Sequence, residues 1–194
     1  NEPSHHMAYL YNFVNKPYKT QEITRQILTE LYTNSPDGIS GNEDCGQMSA
    51  WYIFSSLGFY PVTPGSNQYI IGSPLFDKAT INLENGKSFT VEAIDNSSEN
   101  KYIKSAILNG ENYEFSFINH KDIINGGSLV FEMTDKQTNW GTADKNIPKT
   151  SIDEHLIVAA PFIAKGKIAF KGSTEITLGN ADKEATIFYT LGDE

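Results

Sequence analysis

The sequence predicts an α+β protein in which helices come first and short antiparallel strands follow. Residues 17–32 carry apolar side chains at helical spacing, with Gln, Thr, Arg and Glu between them. From Phe59 onward the pattern changes to short runs of β-branched and aromatic residues, twice with Asn-Gly between neighbouring runs. A segment of helices followed by a segment of strands is typical of the α+β class.

Three helices are expected up to Gly58. The first opens at Pro3, a residue suited to the first position of a helix, and continues into apolar residues. The second covers residues 17 to about 32, and its apolar face must pack on other helices. That face consists of Ile23, Ile27, Leu28 and Leu31. The third, over residues 48–57, is apolar on most sides and is closed by Gly58.

Six strands are expected in residues 59–133, which form a β region after the helices. They lie at Tyr69–Ile71, Ala79–Leu83, Ser88–Ile94, Tyr102–Leu108, Tyr113–Ile118 and Leu129–Met133. Asn85-Gly86 and Asn109-Gly110 separate two pairs of these strands. Because Asn-Gly is the strongest short hairpin signal, each pair is expected to form a hairpin.

The remainder of the chain divides into a polar stretch and a second β segment. Residues 134–155 lack apolar periodicity, so a loop or linker is expected there. Residues 156–194 have the pattern of an incomplete β module, whose last strand at Ala185–Thr190 has no partner after it. The chain also starts at Asn1, without an initiator Met or a signal segment. We therefore expect a piece of a longer polypeptide.

Composition excludes several classes of protein. The 194 residues contain 15 Lys and Arg against 24 Asp and Glu, a net charge of −9, whereas a nucleic-acid binder needs a basic patch. Apolar residues make up 39% of the chain, and no window approaches the roughly 20 consecutive apolar residues of a membrane span. Cys45 is the single cysteine, which excludes an internal disulfide and a multi-cysteine zinc site.

The first candidate site is the opening segment, Asn1-Glu-Pro-Ser-His-His6. Asn1 and Glu2 offer oxygen ligands suited to a sugar or a calcium ion. The alternative is that one of them only caps the helix that Pro3 opens. The two histidines are adjacent and point about 100° apart on a helix, so they do not readily share one zinc ion.

The second candidate site is the segment Asn42-Glu-Asp-Cys-Gly-Gln47. Asp44 and Gln47 have the spacing of a capping box, with Asp in place of the usual Ser or Thr. The alternative is that the Asp44 carboxylate, at a glycine-flanked helix start, acts as a general base in a cleft. Glycosidases need two carboxyl groups around the scissile bond, and the second would come from Glu2, Glu43 or a segment outside the chain.

Six motifs follow one another between residues 1 and 77. They are Asn1-Glu-Pro-Ser-His-His6, Tyr18-Lys-Thr-Gln21, Pro36-Asp-Gly38, Gly41-Asn-Glu-Asp-Cys-Gly-Gln-Met-Ser-Ala-Trp-Tyr52, Gly58-Phe-Tyr-Pro-Val-Thr-Pro-Gly65 and Ile71-Gly-Ser-Pro-Leu-Phe-Asp77. In their order and content they closely resemble the bacterial α-mannosidases of glycoside hydrolase family 92. The likeness fades around residue 135, and residues 165–190 resemble more loosely the small β modules of secreted carbohydrate-active enzymes.

The resemblance implies an architecture and an activity. Family members hydrolyse α-linked mannose in glycans with inversion, using calcium, and pair an N-terminal β-sandwich with an (α/α)6 barrel. Residues 1–58 would be the last helices of that barrel, and residues 59–133 the β structure after it. The implied partners are a mannose-containing glycan and the missing N-terminal part of the same polypeptide. The implied location is periplasmic or extracellular in a bacterium.

The resemblance also implies roles for single residues. Asp44 matches the general base, and Asn42 stands where family members often carry a second acidic residue. Asn1, Glu2 and Glu43 would contact substrate, and Glu2 is also a possible calcium contact. The general acid would lie upstream of Asn1. Because an acid and a base act together, the chain alone is expected to be inactive.

Two other functions remain open at this stage. The chain could be chiefly a structural or sugar-binding β module, whose strand aromatics stack on sugar rings if they are exposed and coplanar. Those aromatics are Tyr69, Phe76, Phe89, Tyr102, Tyr113, Phe115 and Phe117. The parent barrel could also be a phosphorylase, since one fold supports different chemistries.

Overall fold

The computed structural model describes residues 2–149, 151 and 158–192. The chain forms two compact units, which divide after residue 150. The first unit contains all the helices and two β-sheets of the described residues, and the second contains a two-stranded sheet. The α+β class predicted from the sequence is confirmed.

The helices lie mainly in the first 57 residues. Two 3-10 helices, Glu2–Ser4 and Met7–Val14, are followed by α1 (Pro17–Glu30) and α2 (Gln47–Leu57). A short helix α3 (His120–Ile124) lies between strands of the β region. Pro17 occupies the start of α1, and Gly58, with φ of 99°, ends α2 in the left-handed conformation that glycine adopts most easily.

The predicted opening helix differs from the structure. Residues 2–14 form two 3-10 pieces separated by a turn at His5 and His6, rather than one α-helix. The second piece is rich in aromatic residues, which have low helix propensity, and its conformation is set by tertiary contacts. Tyr9 and Asn12 are completely buried there, and Asn12 donates hydrogen bonds to the carbonyls of Ile71 and Ser116.

The first unit has eight strands in two sheets. They are β1 (Phe59–Tyr60), β2 (Gln68–Ile71), β3 (Lys78–Asn82), β4 (Ser88–Ile94), β5 (Tyr102–Leu108), β6 (Glu111–Asn112), β7 (Phe117–Asn119) and β8 (Gly127–Thr134). One sheet has the order β1-β2-β7 and the other β3-β4-β8-β5-β6. All pairs are antiparallel except β4 with β8.

The hairpin predicted from Asn85-Gly86 is present, and Asn109-Gly110 also forms a tight turn, but β5 pairs there with the short β6 rather than with the predicted strand at 113–118. The β3–β4 turn contains Asn85-Gly86, and the β5–β6 turn contains Asn109-Gly110. Asn109 and Gly110 have φ values of 52° and 88°, the left-handed pair that a tight hairpin turn requires.

Two predicted strands are wrong in part or in whole. Residues 113–116 are irregular, and only Phe117–Asn119 pairs, with β2. Residues 185–190 form no strand, and Phe188 and Tyr189 are largely exposed. A strand needs hydrogen-bonding neighbours, and within the described second unit only β9 (Phe162–Lys165) and β10 (Thr177–Gly179) pair with each other.

The first unit has two hydrophobic clusters. The larger lies in the β region and is built on Phe89, Ile103, Leu129 and Phe131, all fully buried. The smaller lies among the helices and contains Ala8, Tyr9, Leu28, Trp51 and Ile70. Residues 134–149 pack on the larger cluster through Trp140, whose indole N–H donates to the Tyr113 carbonyl at 2.9 Å.

Helix α1 joins the helices to the β region through polar side chains. Thr20, Gln21, Thr24 and Arg25 are buried on its inner face. The Gln21 side-chain oxygen accepts a hydrogen bond from the Ile103 backbone N–H of β5 at 3.0 Å. Within the predicted apolar face, Leu28 is buried, whereas Leu31 remains 48% exposed.

Candidate functional site

His5, in the first segment predicted to carry chemistry, contacts helix α2, into which the second segment leads. The indole N–H of Trp51, in α2, donates a hydrogen bond to the backbone carbonyl of His5 at 3.0 Å. One turn earlier on the same helix, the Met48 sulfur lies 3.2 Å from His5 Nε2. The opening segment is therefore held against the first turns of α2.

The described residues cover only part of the opening segment. Asn1, a predicted substrate contact, lies outside them. The backbone of Glu2 begins the first 3-10 helix, but its side chain is not described. The predicted roles of Asn1 and Glu2 therefore stay predictions.

A strained turn precedes helix α2. Asp44, Cys45 and Gly46 are consecutive residues with φ values of 53°, 59° and 91°. Glycine adopts this left-handed conformation freely, whereas it costs energy for Asp and more so for Cys. Such strain persists only where the surrounding structure enforces it, and it clusters at functional sites.

Glu43 holds this turn to the start of α2. Its carboxylate accepts two hydrogen bonds from Ser49, from the backbone N–H at 3.1 Å and from the hydroxyl at 3.0 Å. Its backbone carbonyl accepts the Met48 N–H at 3.1 Å. Glu43 thus satisfies two of the backbone N–H groups that a helix start leaves unpaired, and its charge lies at the positive end of the helix dipole.

The capping box predicted from Asp44 and Gln47 is wrong. The residue before the helix is Gly46, and it makes no side-chain capping bond. Asp44 contributes its backbone carbonyl, which accepts the Gln47 N–H at 3.3 Å. Glu43 makes the side-chain bonds instead, because the left-handed turn brings the residue before Asp44 back over the helix end.

The Asp44 carboxylate is half-buried and uncommitted. It accepts no hydrogen bond from residues 3–149, in contrast to the carboxylate of neighbouring Glu43. Asn42 is exposed and likewise makes no side-chain hydrogen bond to the described residues. Within the described residues, the fold therefore fixes the backbone of Asp44 but not its carboxylate.

A concavity of about 470 Å³ lies between the helices beside this turn. Its wall, which we call the open side, is mostly apolar. It includes Ser4, His5, Met7, Ala8, Tyr11, Ile23, Ile27, Leu31, Tyr32, Ser40, Met48 and Trp51. Asn42, Glu43 and Asp44 are not among the described residues that form this wall, although Met48, bonded to the Glu43 carbonyl, is.

Two aromatic side chains in the wall of the concavity pack against each other. The rings of Tyr32 and Trp51 stack 6.0 Å apart at 8°, and the Tyr32 hydroxyl donates to the Met48 carbonyl at 3.2 Å. Burial, with a smaller contribution from the negative charge of Glu43, raises the pKa of Tyr32 to about 12. Tyr32 therefore stays protonated at neutral pH and acts as a hydrogen-bond donor.

The strand aromatics do not form a coplanar platform in the described β region. Phe89 and Tyr102 are buried. The ring of Phe115 lies 5.4 Å from Tyr113 at 51° and 5.5 Å from Phe117 at 66°. These are the tilted contacts of packed side chains rather than one flat surface for a sugar ring.

Metal ligands are sparse in the described part of the chain. No group of three or more His, Cys, Asp and Glu side chains lies close enough together there to hold a metal ion. Calcium also takes carbonyl and amide oxygens, so its predicted site depends on Glu2 and on groups beyond the described residues. Within the same residues, no helix is long and apolar enough to cross a bilayer.

Comparison with known proteins decides the family. Residues 1–135 match the sequence model of the glycosyl hydrolase family 92 catalytic domain. The chain belongs to glycoside hydrolase family 92. It is 32% identical over 151 residues to an uncharacterized secreted glycosidase of Arthroderma benhamiae, covering 76% of this chain and 20% of that protein.

Solved structures agree with this family 92 assignment. The family 92 α-mannosidase BT3965 of Bacteroides thetaiotaomicron is 44% identical, with a TM-score of 0.75 over 77% of this chain and 20% of its own. The inverting mannosidase BT2199 of the same organism is 42% identical, with a TM-score of 0.72 over 76% of this chain and 20% of its own. The family 92 chain described here spans about a fifth of the length of these relatives.

Sequence analysis missed the Glu43–Ser49 pair and the packing of Tyr32 on Trp51. The pair had a faint signal, because Gly41 and Gly46 flank a loop of charged residues immediately before a helix. Tyr32 and Trp51 are 19 positions apart with a loop between them, and nothing in their local patterns connects the two rings.

Proposed function

We propose that this chain is the part of a calcium-dependent, inverting exo-α-mannosidase that supplies the general base, Asp44. Membership of family 92, with solved mannosidases among its structural relatives, is the main support. The uncommitted carboxylate of Asp44 on a restrained turn is the local support. The substrate is an α-linked mannose residue of a glycan.

The proposed chemistry assigns one step to Asp44. In an inverting glycosidase, a carboxylate removes a proton from water as the water attacks the anomeric carbon, while a carboxylic acid protonates the leaving oxygen. Asp44 takes the first of these roles, and Asn42, two positions earlier, has a supporting one. The acid is supplied by the part of the polypeptide that precedes residue 1.

Asn1 and Glu2 are proposed to contact the sugar, and Glu2 also to bind calcium. The ion would hold sugar hydroxyls and nearby oxygens by direct coordination and so orient the mannose ring. The support from the structure is that His5, which follows them in the chain, accepts a hydrogen bond from Trp51 of α2, the helix that the Asp44 turn precedes. Glu43 was predicted to contact substrate as well.

Residues 1–58 are proposed to be the last helices of an (α/α)6 barrel, with the preceding helices packed on the open side. Met7 and Leu31, which belong to the open side, are 56% and 48% exposed, and exposed apolar surface of this kind is typical of a face that another element covers. Residues 59–133 would be the β region after the barrel, 134–155 a linker, and 156–194 an incomplete β module.

The location is proposed to be periplasmic or extracellular in a bacterium. A curated relative is described as secreted, which supports export. Cell fractionation with an antibody to this chain would test the location, and recovery from the cytoplasm alone would overturn it.

Release of mannose from α-1,2-mannobiose tests the proposed activity. The parent polypeptide should release mannose, the isolated 194-residue chain should not, and Asp44→Asn in the parent should lower kcat by about 10³-fold. Asp37→Asn, a matched change at an exposed carboxylate, should leave kcat unchanged. EDTA treatment followed by calcium addition, in the same assay, tests the metal requirement.

Three outcomes would contradict parts of the proposal. Robust release of mannose by the isolated chain would overturn its inactivity. Full activity of Asp44→Asn would remove Asp44 from the role of base. Activity that survives complete removal of calcium would exclude the ion from catalysis.

A further inference from the structure

We infer that Glu43 and Ser49 are positioning residues, which hold the left-handed turn at Asp44–Gly46 and thereby the Asp44 carboxylate. The inference rests on the proposed function, since it concerns the side chain proposed there as the base. It gives Glu43 a role different from the predicted substrate contact.

Glu43 is bonded to two residues of α2, and we call its hydrogen bonds to Met48 and Ser49 the clamp. Both oxygens of its carboxylate accept hydrogen bonds from Ser49, and its backbone carbonyl accepts the Met48 N–H. Three bonds therefore join one residue before the turn to the helix after it. A carboxylate with both oxygens engaged in this way has less capacity left for sugar hydroxyls than the neighbouring Asp44.

The turn needs such a clamp because its backbone is unfavourable. Asp44 and Cys45 both have positive φ, and each would relax to a right-handed or extended conformation if its neighbours allowed it. Gly46 supplies the third left-handed residue without steric cost, and space around it is open. The compensating interactions are the bonds that Glu43 and Asp44 make to Gln47, Met48 and Ser49.

The orientation of Asp44 depends on this arrangement. Its side chain makes no hydrogen bond to residues 3–149, so among these residues its direction is set mainly by the backbone of the turn. Relaxation of φ at Asp44 would swing its Cβ and carboxylate together. A displacement of about 1 Å of a reacting group can cost about 100-fold in rate. Loss of the clamp should therefore lower kcat and leave substrate binding nearly intact.

Kinetics of the parent polypeptide on α-1,2-mannobiose test the inference. Glu43→Ala should lower kcat by about 100-fold, and Ser49→Ala, which keeps the backbone bond, by about tenfold. KM should change by less than about threefold in both, because neither side chain binds substrate. Glu43→Gln and Ser49→Thr, which keep acceptor and donor, should recover most of kcat. The double variant should be no slower than Glu43→Ala, because the two residues act as one unit.

A readout in the folded protein separates positioning from general destabilisation. Amide hydrogen exchange at Met48 and Ser49 should rise in Glu43→Ala, while the melting temperature stays close to that of Glu22→Ala, a carboxylate change on the adjacent helix. A loss of kcat that instead follows the melting temperature overturns the inference. So does a higher KM with normal kcat in Glu43→Ala, or a fully active Ser49→Ala.

Failure of the inference and failure of the proposed function are distinguishable. If Asp44→Asn inactivates the enzyme and the Glu43 and Ser49 variants remain fully active, only the positioning role is lost. If Asp44→Asn is itself fully active, the role of Asp44 as base is wrong, and the inference is overturned with it.

Discussion

The two sides of helix α1 differ in a way that its amphipathic pattern does not suggest. The inner face is polar, with Thr20, Gln21, Thr24 and Arg25, and it is buried against the β region. The open side carries Ile23, Ile27 and Leu31, and it lines a concavity. The polar face is the buried one because backbone groups of the β region need hydrogen-bond partners. Gln21 and Arg25 supply such partners to that region.

Arg25 shows how the inner face is stabilised. Its guanidinium donates to the carbonyls of Ser97 and Pro74 and to the side-chain oxygen of Asn96. Burial lowers the pKa of Arg25, and the charge of Asp77 opposes that shift only in part. The buried charge is thus balanced mainly by neutral oxygens, and those oxygens would be left unpaired without it.

Arg25→Met is expected to have the largest effect on this comparison. It keeps most of the aliphatic stem and removes three hydrogen bonds, so the free energy of unfolding should fall by about 3 kcal/mol or more. Urea unfolding followed by tryptophan fluorescence measures it, since Trp51 and Trp140 are both in the first unit. Gln26→Met, on the exposed part of the helix, should cost less than about 0.5 kcal/mol. An equal loss of unfolding free energy in the two variants would show that the buried inner face contributes no more to stability than the exposed surface does.

Leu28 and Leu31 allow the same substitution on the buried and exposed parts of one helix. Leu28 is 2% exposed and Leu31 is 48% exposed. Leu28→Ala should lower the free energy of unfolding of this chain by about 3 kcal/mol and Leu31→Ala by less than about 1 kcal/mol. The same urea assay checks both values. If the preceding helices cover the open side, Leu31→Ala should cost markedly more in the parent polypeptide than in this chain.

Tyrosine ionisation should give the smallest effect. Burial raises the pKa of Tyr9 far above its ordinary value, and Tyr32, on the open side, is buried less completely. Above about pH 10 the unfolded chain loses tyrosine protons that the folded chain keeps, so stability falls with rising pH, by at most about 1.4 kcal/mol per pH unit for each such group. Below pH 10 neither tyrosine contributes a slope.

Unfolding measurements at pH 9 and pH 11 test this expectation. Tyr9→Phe and Tyr32→Phe should each reduce the alkaline loss of stability between these two pH values by about 1 kcal/mol, because both tyrosines keep their protons in the folded chain at pH 11. A variant that leaves the alkaline loss of stability unchanged would show that burial does not protect the tyrosine it removes from ionisation.

Much of the fold was predictable from local sequence. Gly58 ends α2 as expected, and the Asn-Gly pairs form hairpins, because these signals act through backbone conformation over a few residues. Residues 185–190 have strand-like composition and yet form no strand, since strand formation depends on a pairing partner elsewhere.

The candidate site was predictable only in outline. Sequence placed Asp44 and Glu43 next to each other at a helix start, and gave both a place in the site. It could not tell which carboxylate would bond to the helix, because that depends on three consecutive left-handed residues. Gly46 is a sequence signal for a left-handed conformation, whereas Cys45 gives no such signal.

The order of helices and strands, the tight turns and the family signature of residues 1–135 were determined by the sequence itself, because each depends on short-range backbone preferences or on motif identity. Tertiary structure alone decided that polar residues fill the inner face of α1 and that Glu43, rather than Asp44, binds the start of α2. The physical reason is the same in both cases. A buried backbone N–H or carbonyl must find a partner, and which side chain reaches it is settled only when distant segments pack together.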